Sequence, residues 1–151
     1  MISDDLSEKI SFHFEDIQFD LLHPQLVIQW LYYTIESENQ TLSFLNYIFC
    51  NDEYLHSLNV RYLNHDTLTD VITFPYSSKQ IEGDIFISID RIKDNAKAFN
   101  VSFSDELHRV MVHGLLHLLG FGDKNDAEKV LMRKKENQYL QALSGMILDT
   151  I

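Results

Sequence analysis

From Val110 to Leu119 the only side chains that are not apolar are two histidines, His113 and His117. Together with Leu107, the residues Val110, Met111, Val112, Leu115, Leu116, Leu118 and Leu119 run round the whole circumference of a helix. Such a helix has no face to show to water and is buried. Whatever this chain folds into must therefore cover one central helix on several sides. Ser104 is placed to cap it, Asp105 and Glu106 suit its first turn, and Gly120 ends it near Leu119.

The rest of the chain supplies that cover. At 151 residues it is long enough for one sizeable core. No repeat, low-complexity tract or Gly/Ser linker divides it, so one domain over residues 1–151 is expected. A composition 45% hydrophobic and 12% aromatic fits a folded chain rather than a disordered one. Lys9 to Phe14 alternates like a strand, and Pro24 suits the first turn of a helix over Gln25 to Glu38. Ser43 to Cys50, Asp70 to Phe74 (stopped by Pro75) and Ile81 to Ile89 read as strands. Asn51 and Asp52 cap a helix over Glu53 to Tyr62. Gly83 marks a bulge or a close backbone approach. The pattern turns helical from Asp90, breaks at Asn100 to Phe103, and ends in a helix from Asp126 to Leu143. This order predicts an α+β fold, with about four strands in a mixed sheet covered by helices.

Two histidines on a buried helix must be satisfied from inside the fold. At i, i+4 they share a face, and one divalent metal ion satisfies both. Gly120 lets the chain turn back, so Asp123 can bring an oxygen ligand to the same ion. Three protein ligands with a fourth position open describe a catalytic zinc site, whereas structural sites are closed by four, mostly sulfur. Gly114 stands where zinc peptidases of the H-E-x-x-H type carry their general base, so peptide hydrolysis is not expected. Phosphoryl chemistry stays open, since a metal can activate water and polarise a phosphoryl oxygen.

The run HGLLHLLGFGD, from His113 to Asp123, resembles the HGxLHLxGYDH signature of the YbeY endoribonucleases, bacterial rRNA maturation factors. Leu58-Asn59, the stretch Thr69 to Pro75 (TDVITFP) and the stretch Glu82 to Ser88 (EGDIFIS) extend the likeness, which covers roughly Phe44 to Asp123. The resemblance implies a zincin-like fold, zinc as cofactor and metal-dependent, single-strand-specific cleavage of RNA. It also implies small-subunit ribosomal RNA as substrate, especially its 3′ end, with a part in ribosome quality control and room for a ribosomal protein as partner. By position, His113 and His117 match the first two metal ligands. Asp123 stands where the family has a third histidine, and Gly122 where it has aspartate. The exchange adds an oxygen donor and negative charge, which relaxes metal selectivity. Leu63 replaces a family arginine, and Arg61, on the expected helix, does not face the same way.

The remaining features narrow the class. A net charge of −11 gives no general attraction for polyanions, so RNA must be drawn by a local basic patch or by the metal. Lys129, Arg133, Lys134 and Lys135 could form that patch, or simply a solvated face with Glu128 and Glu136 interleaved. His13, His23, His56, His65 and His108 read as surface or core histidines, and Asp70 and Asp84 as hydrogen-bonding groups of strands. The acidic start, Met1 to Asp5, lacks the pattern of a signal peptide, and no run spans a bilayer. The single cysteine, Cys50, reads as a buried reduced thiol. These features point to the cytoplasm. Two rival readings remain: a ribosome-assembly factor with a structural metal and no turnover, and an iron facial triad.

Overall fold

The computed structural model describes residues 4–149, with side chains from residue 6; of the acidic start read at Met1 to Asp5, residues 1–3 lie outside the described residues. Its order is α1 (Asp4–Lys9), β1 (Ile10–Phe14), α2 (Pro24–Ser37), β2 (Leu42–Cys50), α3 (Asp52–Leu63), β3 (Val71–Pro75), β4 (Ile81–Ser88), α4 (Ile89–Phe99), α5 (Phe103–Leu118) and α6 (Asp126–Asp149). The four strands lie side by side as β1-β2-β4-β3. The β1/β2 and β2/β4 pairs are parallel and β3/β4 is antiparallel, so the sheet is mixed as the residue pattern predicts.

Register decides which side chains face the helices. The pairings Phe12↔Tyr47 and Tyr47↔Ile85 place Leu45, Tyr47, Phe49, Ile85 and Ile87 on one face, and all five are fully buried. Against that face α5 lays Leu107, Val110, Met111, Leu115 and Leu116, each at most 5% exposed. Burying a large aliphatic side chain is worth about 1.5–3 kcal/mol, against about 0.3–1 kcal/mol for a charge at a helix end. Packing, not capping, therefore sets where α5 sits. The polar ends inside this core are all engaged. Trp30 Nε1 donates to the carbonyl of Tyr139 at 2.7 Å, and the Tyr47 hydroxyl to that of Met111 at 2.8 Å.

On the opposite face α3 covers Cys50, Ile72 and Phe86 through Leu55 and Leu58. Cys50 is fully buried and its Sγ donates to the Ile87 carbonyl. Burial, helped by Asp52 and Asp90, pushes this thiol up to about 12, so it stays protonated and inert, as expected of a core cysteine. Gly83 is a site of close approach. A Cβ there would meet the carbonyl oxygen of Phe74 at 2.8 Å and Leu118 Cδ1 at 3.2 Å.

Besides shifts of one residue in α2, β2, α3 and β3, the last of which takes in Pro75, element ends depart from expectation in four places. A short helix, α1, precedes β1 and takes Lys9 out of the strand. Ser88 caps α4, its Oγ accepting from Arg91 N, so Ile89 leaves β4 for the helix. Ser102, not Ser104, caps α5, accepting from Asp105 N at 3.1 Å. The cause is Asn100, which ends α4 in the left-handed region at φ 56° and leaves only two residues before the next helix. Finally, α6 runs on to Asp149 rather than stopping near Leu143. Among the described residues no helix is long and apolar enough to cross a membrane.

Candidate metal centre

The two histidines lie one turn apart on the half-buried side of α5 that faces α6 and the loop after the helix. Both are half-buried, while Val112, Gly114, Leu115 and Leu116 beside them are buried. The turn after α5 orients the second ring. Gly120, at φ +105°, donates to the His117 carbonyl, and Phe121 N donates to that of Leu116, each at 3.0 Å. This is a Schellman closure, which needs a left-handed residue at that point. It turns the carbonyl of Phe121 back towards the helix, where it accepts from His117 Nδ1 at 2.9 Å. Two residues later Asp123 returns its carboxylate to the same side.

His113 is held from a different direction. Its Nδ1 lies 2.7 Å from Glu136 Oε2, on α6. Glu136 is buried and also accepts from Arg109 Nη1 at 2.8 Å, while Arg109 Nη2 donates to Asn137 Oδ1 at 2.9 Å. Burial alone would raise the Glu136 carboxyl, but His113 and Arg109 outweigh it and hold it below its usual range. Burial likewise acts to lower His113, yet Glu136, Asp123 and Asp70 together raise it. The carboxylate behind the ring stays ionised and makes the imidazole a stronger donor.

These anchors fix what the other nitrogens must do. A carbonyl only accepts, so His117 Nδ1 carries a hydrogen, and the ionised Glu136 requires the same of His113 Nδ1. Each neutral ring then offers an Nε2 lone pair. The two Nε2 atoms are 3.0 Å apart and lie 3.4 and 3.3 Å from Asp123 Oδ2. Three lone-pair donors facing one another repel unless a cation stands between them or a proton on one Nε2 bridges the rings. Tetrahedral zinc ligands at ordinary bond lengths are separated by about 3.3–3.5 Å, so the donor set fits a single ion. His113, His117 and Asp123 are the group among the described residues that could hold a metal.

Other anticipated residues are placed apart. Arg61 lies over the Tyr62 ring, with its Cζ 5.8 Å from the centroid, and Leu63 is exposed. Neither reaches the groove of about 840 Å³ that opens beside His113 and Asp123. His108 packs edge-on against Trp30, and Asp84 bonds Asn46 and Tyr76, as the bland readings expect. Asp70 accepts from Asn95 at 3.2 Å and also lines the groove. The picture of Glu136 on a solvated face is corrected. With Met132, Tyr139 and Leu143 it forms the buried stripe of α6. A carboxylate in register with apolar residues at helical spacing was the available signal, and nothing in the sequence named its partner.

Replacing Glu136 with glutamine keeps the hydrogen bond and removes the charge. The expected result is a folded protein whose metal affinity falls about 10–100-fold, the usual effect of losing an outer-shell carboxylate. Competition against a chromophoric chelator measures it, and an unchanged affinity would refute the role.

Known proteins resemble this chain over most of its length. The family model for endoribonuclease YbeY matches residues 9–144. An endoribonuclease YbeY of Flavobacterium johnsoniae is 53% identical over 130 residues, covering 85% of this chain and 93% of that protein. One of Amoebophilus asiaticus is 50% identical over 135 residues, covering 88% and 92%. A solution structure of a Thermotoga maritima protein superposes with a TM-score of 0.63 at 26% identity, covering 92% of this chain and 93% of its own.

Proposed function

The chain belongs to the YbeY endoribonuclease family, and on that premise we propose that it is a zinc-dependent endoribonuclease cutting single-stranded RNA, with His113, His117 and Asp123 as the metal ligands. What carries the reading is the convergence of three lone-pair donors while both Nδ1 atoms are anchored elsewhere. Bound there, a divalent ion supplies Lewis-acid polarisation and an acidified water. The chain's own part is to hold the donors rigidly. The Phe121 carbonyl orients one ring, while Glu136, steadied by Arg109, orients the other. Asp123 leaves one side of the set open to the groove, where an RNA strand can approach. The substrate we assign is the precursor of small-subunit ribosomal RNA, at its 3′ end, with a further part in ribosome quality control. That places the work in the cytoplasm, on the small ribosomal subunit.

The test is cleavage of an unstructured RNA by purified protein, before and after dialysis against chelator and after zinc is restored. Activity should vanish with the metal and return with zinc. Activity indifferent to the chelator would sink the reading. Persistent binding to small ribosomal subunits without turnover, together with a melting temperature lowered by chelation, would favour an assembly factor with a structural metal.

A further inference from the structure

The groove beside the centre runs between α5 and α6, and its cations are not equivalent. Arg109 is occupied by Glu136 and Asn137. Lys135 is tied to Glu38 Oε2 at 2.9 Å and lies over the Phe121 ring, outside the groove lining. Lys134 is exposed and does not line the groove either. Lys129 and Arg133 do, in company with His113 and Asp123. They are one helical turn apart, so they share a face of α6.

Neither is held by a close partner among the described residues. The Arg133 side chain is 63% exposed, and its one ion pair among the described residues is a long approach to Glu136, at 3.5 Å. That carboxylate is already held at 2.7 and 2.8 Å by His113 and Arg109. Lys129 is exposed, and its side chain enters no hydrogen bond or ion pair among the described residues. Of the groove's other acids, Glu106 and Asp70 both bond Asn95, towards the α4 side, although Glu106 still feels the charge of Arg133; Asp105 lies in the first turn of α5 and Asp123 belongs to the candidate centre. A chain of net charge −11 cannot hold a polyanion by its overall field, and position 63 contributes leucine rather than a cation.

We infer that Lys129 and Arg133 form the phosphate-binding pair of this groove, holding the RNA backbone beside the centre from the α6 side. The inference rests on the RNA reading above. It divides a basic run of four residues into two that meet the backbone, one that braces the loop after α5, and one that is only solvated.

The experiment measures binding of a short fluorescent single-stranded RNA to the zinc-loaded protein over a range of salt concentrations, alongside KM and kcat. Each phosphate contact on a single strand adds about 0.7 to the slope of log affinity against log salt. The variant Lys129→Met with Arg133→Met should lose about 1.4 from that slope, with raised KM, unchanged kcat and full zinc content. Arg133→Lys should retain most of the slope. Lys134→Met, with the same change of charge as either single variant, should match the parent. A double variant with the parental slope overturns the inference, as does a Lys134→Met protein that loses as much as Arg133→Met. Loss of zinc from the double variant would also overturn it, by moving the effect to the centre. Zinc-loaded parent protein that binds no RNA would instead overturn the RNA reading itself.

Discussion

Replacing His117 with alanine should leave a folded protein that no longer retains metal and no longer cleaves RNA. The mutation deletes one of three donor atoms and little else. The ring is half-buried, and outside the donor set its one bond among the described residues is to the Phe121 carbonyl, a group that water can satisfy once the ring is gone. Loss of a mere outer-shell partner costs about 10–100-fold in metal affinity, so loss of a ligand should exceed about 100-fold. His113→Ala makes an informative contrast. It removes an equivalent donor, and so should empty the site equally, but it also strips a hydrogen-bond partner from the buried Glu136. Leaving a buried polar group short of a partner costs about 1–3 kcal/mol. Elemental analysis should therefore rank the two variants together, whereas melting in the presence of chelator should rank His113→Ala below His117→Ala. A His117→Ala protein that keeps one zinc per chain and its ribonuclease activity would show that the three donors do not form the centre.

What could be read without coordinates follows from the range of each interaction. The central helix was legible because its apolarity runs all the way round, and burial is the largest energy in play. Its two candidate ligands followed from a spacing internal to that helix, and the Gly120 turn made Asp123 reachable. These are local facts. The misplaced α5 cap shows the limit even of local reading, since Ser102 and Ser104 are both good caps. What separates them is the left-handed Asn100, whose conformation depends on how α4 ends. Glu136 and Arg109 were missed for a different reason. They stand 27 residues apart and meet only because α5 and α6 pack side by side. The basic run of α6 was seen as one cluster, whereas packing gives its members separate surroundings: the groove for Lys129 and Arg133, and Glu38 with Phe121 for Lys135.

Gly114→Glu, which would restore the residue order of a zinc peptidase, should unfold the protein rather than create a protease. Position 114 is buried and does not look into the groove. A Cβ built there stands 2.9 Å from Ile85 Cγ2 and 3.4 Å from Val71 Cγ2, on β4 and β3. The helix touches the sheet here, and the neighbours are branched methyls of fully or partly buried strand residues. Overpacking of this kind costs about 1–3 kcal/mol, and an unpartnered carboxylate in the same apolar space adds several kcal/mol more. Against a typical total stability of about 5–15 kcal/mol, the sum is severe. Gly114→Ala separates the two costs. It gains about 1 kcal/mol of helix propensity against the clash alone, and should fold with a modestly lower melting temperature. Thermal unfolding of both variants, with a peptidase assay on any soluble Gly114→Glu protein, makes the comparison. A Gly114→Glu protein melting like the parent would mean that α5 can lift off the sheet. If instead it collapses, the missing general base is a consequence of packing: the glycine that lets the helix touch β4 also keeps peptidase chemistry away from this candidate centre.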